Sequence, residues 1–86
     1  MLRITYHNKF KKAKSRGLNM LHLNEVITML AEGHMLPAKY REHSLTGNYK
    51  GFLECHVEPD WLLIYERRNE ELILLLYRTG TYSDLF

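Results

Sequence analysis

The stretch YKGFLECHVEPDWLLIYERRNEELILLLYR, residues 49–78, decides the fold. It contains three strand-like runs, 49–57, 61–67 and 71–78, separated around Glu58-Pro59 and Arg68-Asn69-Glu70. Connections this short permit only antiparallel hairpins. In the first run Leu53, Cys55 and Val57 alternate with Phe52, Glu54 and His56. The first set is expected to face the core and the second the opposite face. The register of the first hairpin stays open. A three-residue loop pairs His56 with Asp60, and a two-residue loop of Glu58-Pro59 pairs it with Trp61.

Working outward, Leu2, Ile4 and Tyr6 alternate with Arg3 and Thr5, which predicts a short strand over 2–6 with one buried face. Asn8 can cap a helix from about Lys9, with Phe10 and Ala13 on its apolar side and Gly17 at its end. Asn19 can cap a second helix over 20–32. There Leu23, Val26, Ile27 and Leu30 follow the amphipathic spacing, and Gly33 stops it. So few residues join the two helices that they should form an antiparallel hairpin. Residues 34–48 read as a long loop and 79–86 as a tail. The expected architecture is a single α+β domain over 1–86. It has an N-terminal strand, a two-helix hairpin and a three-stranded antiparallel meander, with both helices on one face of the sheet. The other face is then free to carry polar residues.

Composition bounds the chemistry. At 86 residues a single core is just sufficient without disulfides. The one cysteine, Cys55, excludes an intrachain disulfide and a four-cysteine zinc site, and it reads as a small buried apolar residue. No His-x-x-x-His or Cys-x-x-Cys pattern anchors a metal, so no metal or cofactor is expected. The longest apolar run, 72–77, is too short for a membrane span or a signal-peptide core, and the expectation is a cytoplasmic protein. The net charge of +2 hides an asymmetry. Residues 1–50 carry nine Lys and Arg against three Glu, and residues 51–86 carry three Arg against seven acids. The densest cluster is Lys9, Lys11, Lys12, Lys14 and Arg16; Lys39, Arg41 and Lys50 lie further on. Such a cluster is either a solvated helix face or a surface that tracks phosphates.

Several residues could carry acid–base chemistry. His56 ends the first strand run, His43 sits in the long loop, Asp60 follows Pro59, and Arg78 closes the last run. Tyr82 and Phe86 lie in the tail. Two histidines, an aspartate and an arginine suit a phosphodiester whose own 2′-hydroxyl is the nucleophile. A base removes its proton, an acid protonates the leaving oxygen, and a cation stabilises the charged transition state. Each residue also has a plain structural reading. Asp60 can simply close a turn, Arg78 can pair with a nearby Glu, and Trp61 can be core rather than a stacking platform.

Three segments go further: Glu42 to Gly51 (EHSLTGNYKG), His56 to Tyr65 (HVEPDWLLIY) and Arg78 to Phe86 (RTGTYSDLF). Together they resemble the YafQ-type toxins of the RelE/ParE superfamily, over nearly the whole chain. The resemblance implies the toxin of a bacterial type II toxin–antitoxin system. Such a toxin is a ribosome-dependent endoribonuclease that cleaves mRNA in the A site without metal. It implies a site of His43, His56, Asp60, Arg78, Tyr82 and Phe86, with Trp61 beside them. His43 and Asp60 would transfer protons, His56 would orient them or contact phosphate, Arg78 would stabilise charge and Phe86 would pack against the message. The basic residues Lys9, Lys11, Lys12, Lys14, Arg16 and Lys50 would contact RNA. The implied partners are a cognate antitoxin, mRNA and ribosomal RNA, with operator DNA reached only through the antitoxin. One position departs from the pattern: Tyr82 stands where these toxins carry a tail histidine. Tyr donates a proton less readily near neutral pH. The alternatives are a ParE-like gyrase inhibitor on the same fold, or a catalytically weakened toxin that acts as a binding module.

Overall fold

A computed structural model describes residues 1–10 and 19–86. The elements run β1 (Arg3–Tyr6), α1 (Met20–Ala31), β2 (His43–Ser44), β3 (Leu53–Glu58), β4 (Trp61–Arg68), β5 (Ile73–Gly80) and α2 (Tyr82–Leu85), with short 3-10 turns at Ala38–Tyr40, Gly47–Tyr49 and Asn69–Glu71. The strands form one mixed sheet in the order β1-β5-β4-β3-β2. β3, β4 and β5 make the expected antiparallel meander, and β1 pairs parallel with β5.

The α1 helix forms where the spacing predicts. The Asn19 side chain accepts hydrogen bonds from the amides of Leu21 (3.0 Å) and His22 (3.4 Å), satisfying donors the helix leaves open. Gly33 follows the C-cap at φ 80°, a left-handed conformation that ends the helix at low steric cost. Leu23, Val26, Ile27 and Leu30 are all buried. They pack with Cys55, Val57, Trp61, Leu63, Tyr65, Leu74 and Leu76 from the facing side of the sheet. Each large side chain buried there is worth about 1.5–3 kcal/mol.

The structure changes several expectations. The first helix of the predicted hairpin, from about Lys9 to Gly17, lies outside the described residues from its third residue on, as do Lys11, Lys12, Lys14 and Arg16. Among the described residues there is one long helix. The long loop contains β2, a fifth strand too short to show any alternation. In β1 Leu2 is buried as expected, but Ile4 and Tyr6 are exposed, because β1 is the sheet edge and α1 covers only its start. The tail is ordered: β5 continues to Gly80 and a turn of helix follows. Thr81 and Asp84 close that turn as a capping box, each side chain accepting from the other's amide at 3.3 and 3.1 Å. A Cβ at Gly80 would meet the Asp84 side chain at 3.1 Å, so a glycine suits this close approach.

The face away from α1 is not simply free. Leu62, Ile64 and Leu85 form a second small cluster there, joined by Leu45, Tyr49, Phe52 and Tyr77. The α2 turn, in what was expected to be a tail, therefore packs on the face opposite α1.

Candidate active site

Two one-residue bulges decide which side chains share this second face. In β5, Tyr65 of β4 pairs with Leu76 while Ile64 pairs with Arg78, so Tyr77 is the extra residue. Without it, strict alternation would send Arg78 to the side of Leu76, under α1. With it, Tyr77 and Arg78 both lie on the α2 side, and Thr79 turns inward instead. In β3, His56 pairs with Leu62 and Glu58 with Trp61, so Val57 is extra. Neither register considered from sequence holds. The turn is Pro59-Asp60, and the bulge keeps His56 on the α2 side while Glu58 turns toward His22 of α1 (3.4 Å).

The result is a row of directly opposed residues across four strands: Arg78, Ile64, Glu54 and His43. Opposed residues project from the same face. At the usual strand spacing of about 4.8 Å, Arg78 and Glu54 stand roughly 10 Å apart. The next row holds Gly80, Leu62 and His56.

His43 is held at both ring nitrogens. Its Nδ1 lies 2.8 Å from the Arg41 carbonyl oxygen, and its Nε2 lies 3.1 Å from Glu54 Oε1. A carbonyl only accepts, so Nδ1 carries hydrogen. The Nε2–Oε1 contact then shares one further proton between imidazole and carboxylate. Glu54 is nearly fully buried, and its other oxygen has no partner among the described residues. His56 lies alongside, its ring centroid 6.3 Å from that of His43. Its Nδ1 donates to the Pro59 carbonyl at 3.3 Å, which leaves Nε2 with the lone pair. Asp60 is exposed at the tip of the turn.

Arg78 occupies the other end of the row. Its guanidinium donates to Tyr49 Oη at 2.8 Å and to the Asp84 carbonyl oxygen at 3.3 Å. Tyr49 Oη in turn donates to the Leu85 carbonyl at 3.1 Å. These partners are neutral oxygens, so they orient the cation without cancelling its charge. Phe86 stacks on Tyr82 (4.9 Å between centroids) and meets Tyr49 edge-on at 5.3 Å. Both Phe86 and Tyr82 are exposed. A cleft of about 470 Å³ opens here, with Lys9, Asn48, Tyr49, Arg78 and Phe86 on its walls.

The structure thus brings His43, His56, Arg78, Tyr82 and Phe86 onto one face, with Lys9 at its margin. Lys50 is exposed. Trp61 is corrected: its indole is fully buried beneath α1, where Nε1 donates to Thr79 Oγ1 at 2.8 Å, so it offers no stacking surface. Glu54 and Tyr49 were missed. The alternation that places His56 also places Glu54 on the same face, and a glutamate mid-strand was the available signal. Tyr49 gave no such signal, because its role depends on the bulge at Tyr77.

On the α1 side a second polar group fixes the His43 segment. Glu42 accepts from the Tyr65 hydroxyl and from Arg67 Nη2 (2.8 Å). Burial, the neighbouring Cys55 and the bond to Glu42 all push the Tyr65 phenol well above its usual range. Adjacent residues, Glu42 and His43, are therefore anchored on opposite sides of the sheet. Among the described residues no three His, Cys, Asp or Glu side chains converge as a metal site, and no helix is long and apolar enough to cross a membrane.

Comparison with known proteins decides the family. The sequence matches the family described as "Bacterial toxin of type II toxin-antitoxin system, YafQ" over residues 2–86. The chain belongs to the YafQ toxin family. This YafQ-family chain is 40% identical over 82 residues to the mRNA interferase toxin YafQ of Escherichia coli K12, covering 94% of this chain and 87% of that protein. Its fold matches the crystal structure of YafQ from E. coli BL21(DE3) with a TM-score of 0.89 at 37% identity, over 100% and 99% of the two chains. It matches the toxin in the E. coli DinJ–YafQ complex with a TM-score of 0.87 at 37% identity, again over 100% and 99%.

Proposed function

We propose that this YafQ-family toxin is a ribosome-dependent endoribonuclease that cuts mRNA in the A site through attack of the 2′-hydroxyl. The observation that carries the reading is the pair of adjacent cross-strand rows, with His43 and His56 side by side at one end and, at the other, Arg78, whose hydrogen-bond partners among the described residues are neutral oxygens. His56 Nε2, with its lone pair outward, takes the 2′-hydroxyl proton. Arg78 stabilises the negative charge that develops on phosphate. His43, hydrogen-bonded through Nδ1 to the Arg41 carbonyl and through Nε2 to Glu54, is a proton relay beside His56. This division gives the base role to His56 rather than to His43. Asp60, exposed at the turn, meets the message from the rim of the site. Tyr82 and Phe86 form a stacked pair against which a base can lie. Tyr82 is also the candidate proton donor to the leaving 5′-oxygen, in the position of the family's tail histidine.

Lys9, Lys39, Arg41 and Lys50 add positive charge around this face, suited to an rRNA-lined cavity. A cognate antitoxin covering the same face would silence the protein by occupying it. The test is to map cleavage ends on ribosome-bound mRNA with the wild type, His56→Ala and Tyr82→His. Wild-type cuts that vanish in His56→Ala support the reading. A wild type that arrests DNA replication without cutting messages overturns it in favour of a gyrase inhibitor.

A further inference from the structure

The short β2 strand leaves part of β3 uncovered. β2 pairs only with Leu53 and Glu54, so from Cys55 onward this edge of β3 has no strand beside it among the described residues. The Ala38–Tyr40 turn and the first turn of α1 stand across the gap. Between them lies a cavity of about 350 Å³, walled by His22, Lys39, Tyr40, Arg41, His56 and Pro59. That is within the size range of small-ligand pockets.

The lining says what the cavity takes. Lys39 and Arg41 bring two cations to the wall, and the Lys39 ammonium lies 5.1 Å from the centre of the Tyr40 ring. The acid at the wall, Glu58, is already engaged by His22 at 3.4 Å. Pro59 is exposed and supplies flat apolar surface, while the Tyr40 ring, largely buried, forms the floor beneath Lys39. Cations beside flat apolar walls suit a nucleotide, whose phosphate meets the former and whose base meets the latter. Position narrows the choice. His56 belongs both to this wall and to the candidate active site, so an occupant of the cavity sits immediately beside the reacting group. Arg41 makes a second link, because it lines the cavity while its carbonyl holds His43 Nδ1 at 2.8 Å.

We propose that this cavity seats the message nucleotide next to the cleaved bond and sets the register in which RNA crosses His56. The proposal rests on the endoribonuclease reading above and adds a specificity subsite to it. His22→Trp fills the cavity from a half-exposed helix position, and Lys39→Glu reverses one of its charges. Neither residue belongs to the catalytic row. On ribosomes programmed with messages that differ only in the bases flanking the cut, the wild type should discriminate among them by about 10-fold or more in kcat/KM. His22→Trp and Lys39→Glu should compress that spread to about 3-fold, and should slow the best message chiefly through KM. Circular dichroism and thermal midpoints of both variants should match the wild type. In parallel, amide shifts are followed while a five-nucleotide single-stranded RNA, 2′-O-methylated at every position so that it cannot be cut, is added to the wild type. Shifts at Lys39, Arg41 and His56 that weaken in His22→Trp support the proposal. Two folded variants with the wild-type preference overturn it, as do amide shifts confined to the Arg78–Phe86 cleft. If the wild type cuts no message, the ribonuclease reading fails by itself, and the RNA titration still decides whether the cavity takes a nucleotide.

Discussion

The two faces of the sheet are built for different ends. On the α1 side, ten of the large side chains among the described residues are fully buried, and the Trp61 indole there is paired with Thr79. On the α2 side, a handful of apolar residues anchors an otherwise polar, exposed surface. One face holds the chain together, and the other is left open with charged groups aimed outward. The difference teaches that most of the residues proposed for catalysis can be altered without touching the main core.

That contrast can be broken or sharpened by substitution. The largest stability effect is expected from Trp61→Ala, which removes the largest buried ring and leaves the Thr79 hydroxyl without its indole donor. A loss of about 3–5 kcal/mol in urea unfolding is expected. His56→Ala on the open face should change stability by no more than about 0.5 kcal/mol. It should nevertheless slow message cleavage by about 10²–10⁴-fold in single-turnover assays. If the two substitutions proved equally destabilising, the division between faces would be wrong. Leu85→Ala tests the join between them. It should cost about 2–3 kcal/mol and loosen the carbonyls that receive Tyr49 and Arg78, so cleavage falls further than stability alone explains.

A subtler effect concerns the closed face alone. Burial, reinforced by Glu42, pushes the Cys55 thiol up to about 12 from its ordinary 9.0. The unfolded chain therefore loses this proton at lower pH than the folded one. The stabilising contribution is complete below about pH 9 and is lost as pH rises toward 12. Thermal midpoints measured from pH 8 to 11 should fall less steeply in Cys55→Ala than in the wild type, after allowing for the small cavity. Cys55 should also resist thiol reagents at neutral pH until the protein unfolds.

Much of this fold was legible from residue patterns. Asn19, the Leu23–Leu30 spacing and Gly33 define α1 through local chemistry, and the alternation around Cys55 tells which side of β3 meets the core. What could not be read depends on neighbours. The Tyr77 bulge has no local marker, since any apolar residue can occupy it, yet it alone turns Arg78 toward the site. The Val57 bulge likewise replaced both hairpin registers considered. β2 is too short for a period of two to show. The histidines and Arg78 were legible as residue types, but the Glu54–His43 contact required knowing that residues 43 and 54 lie opposite each other. Trp61 was placed with the site by resemblance, while its indole is buried in the core beneath α1.

The parallel pairing of β1 with β5 has a consequence for how the protein comes into being. Arg3 lies opposite Ile73, so the contact closes a loop of nearly the whole chain. Such a contact cannot form until β5 has left the synthesising machinery, and distant pairings form late in any case. Arg78 and the α2 turn emerge later still. A nascent copy is therefore without its aligned row of charges until β5 has docked between β1 and β4.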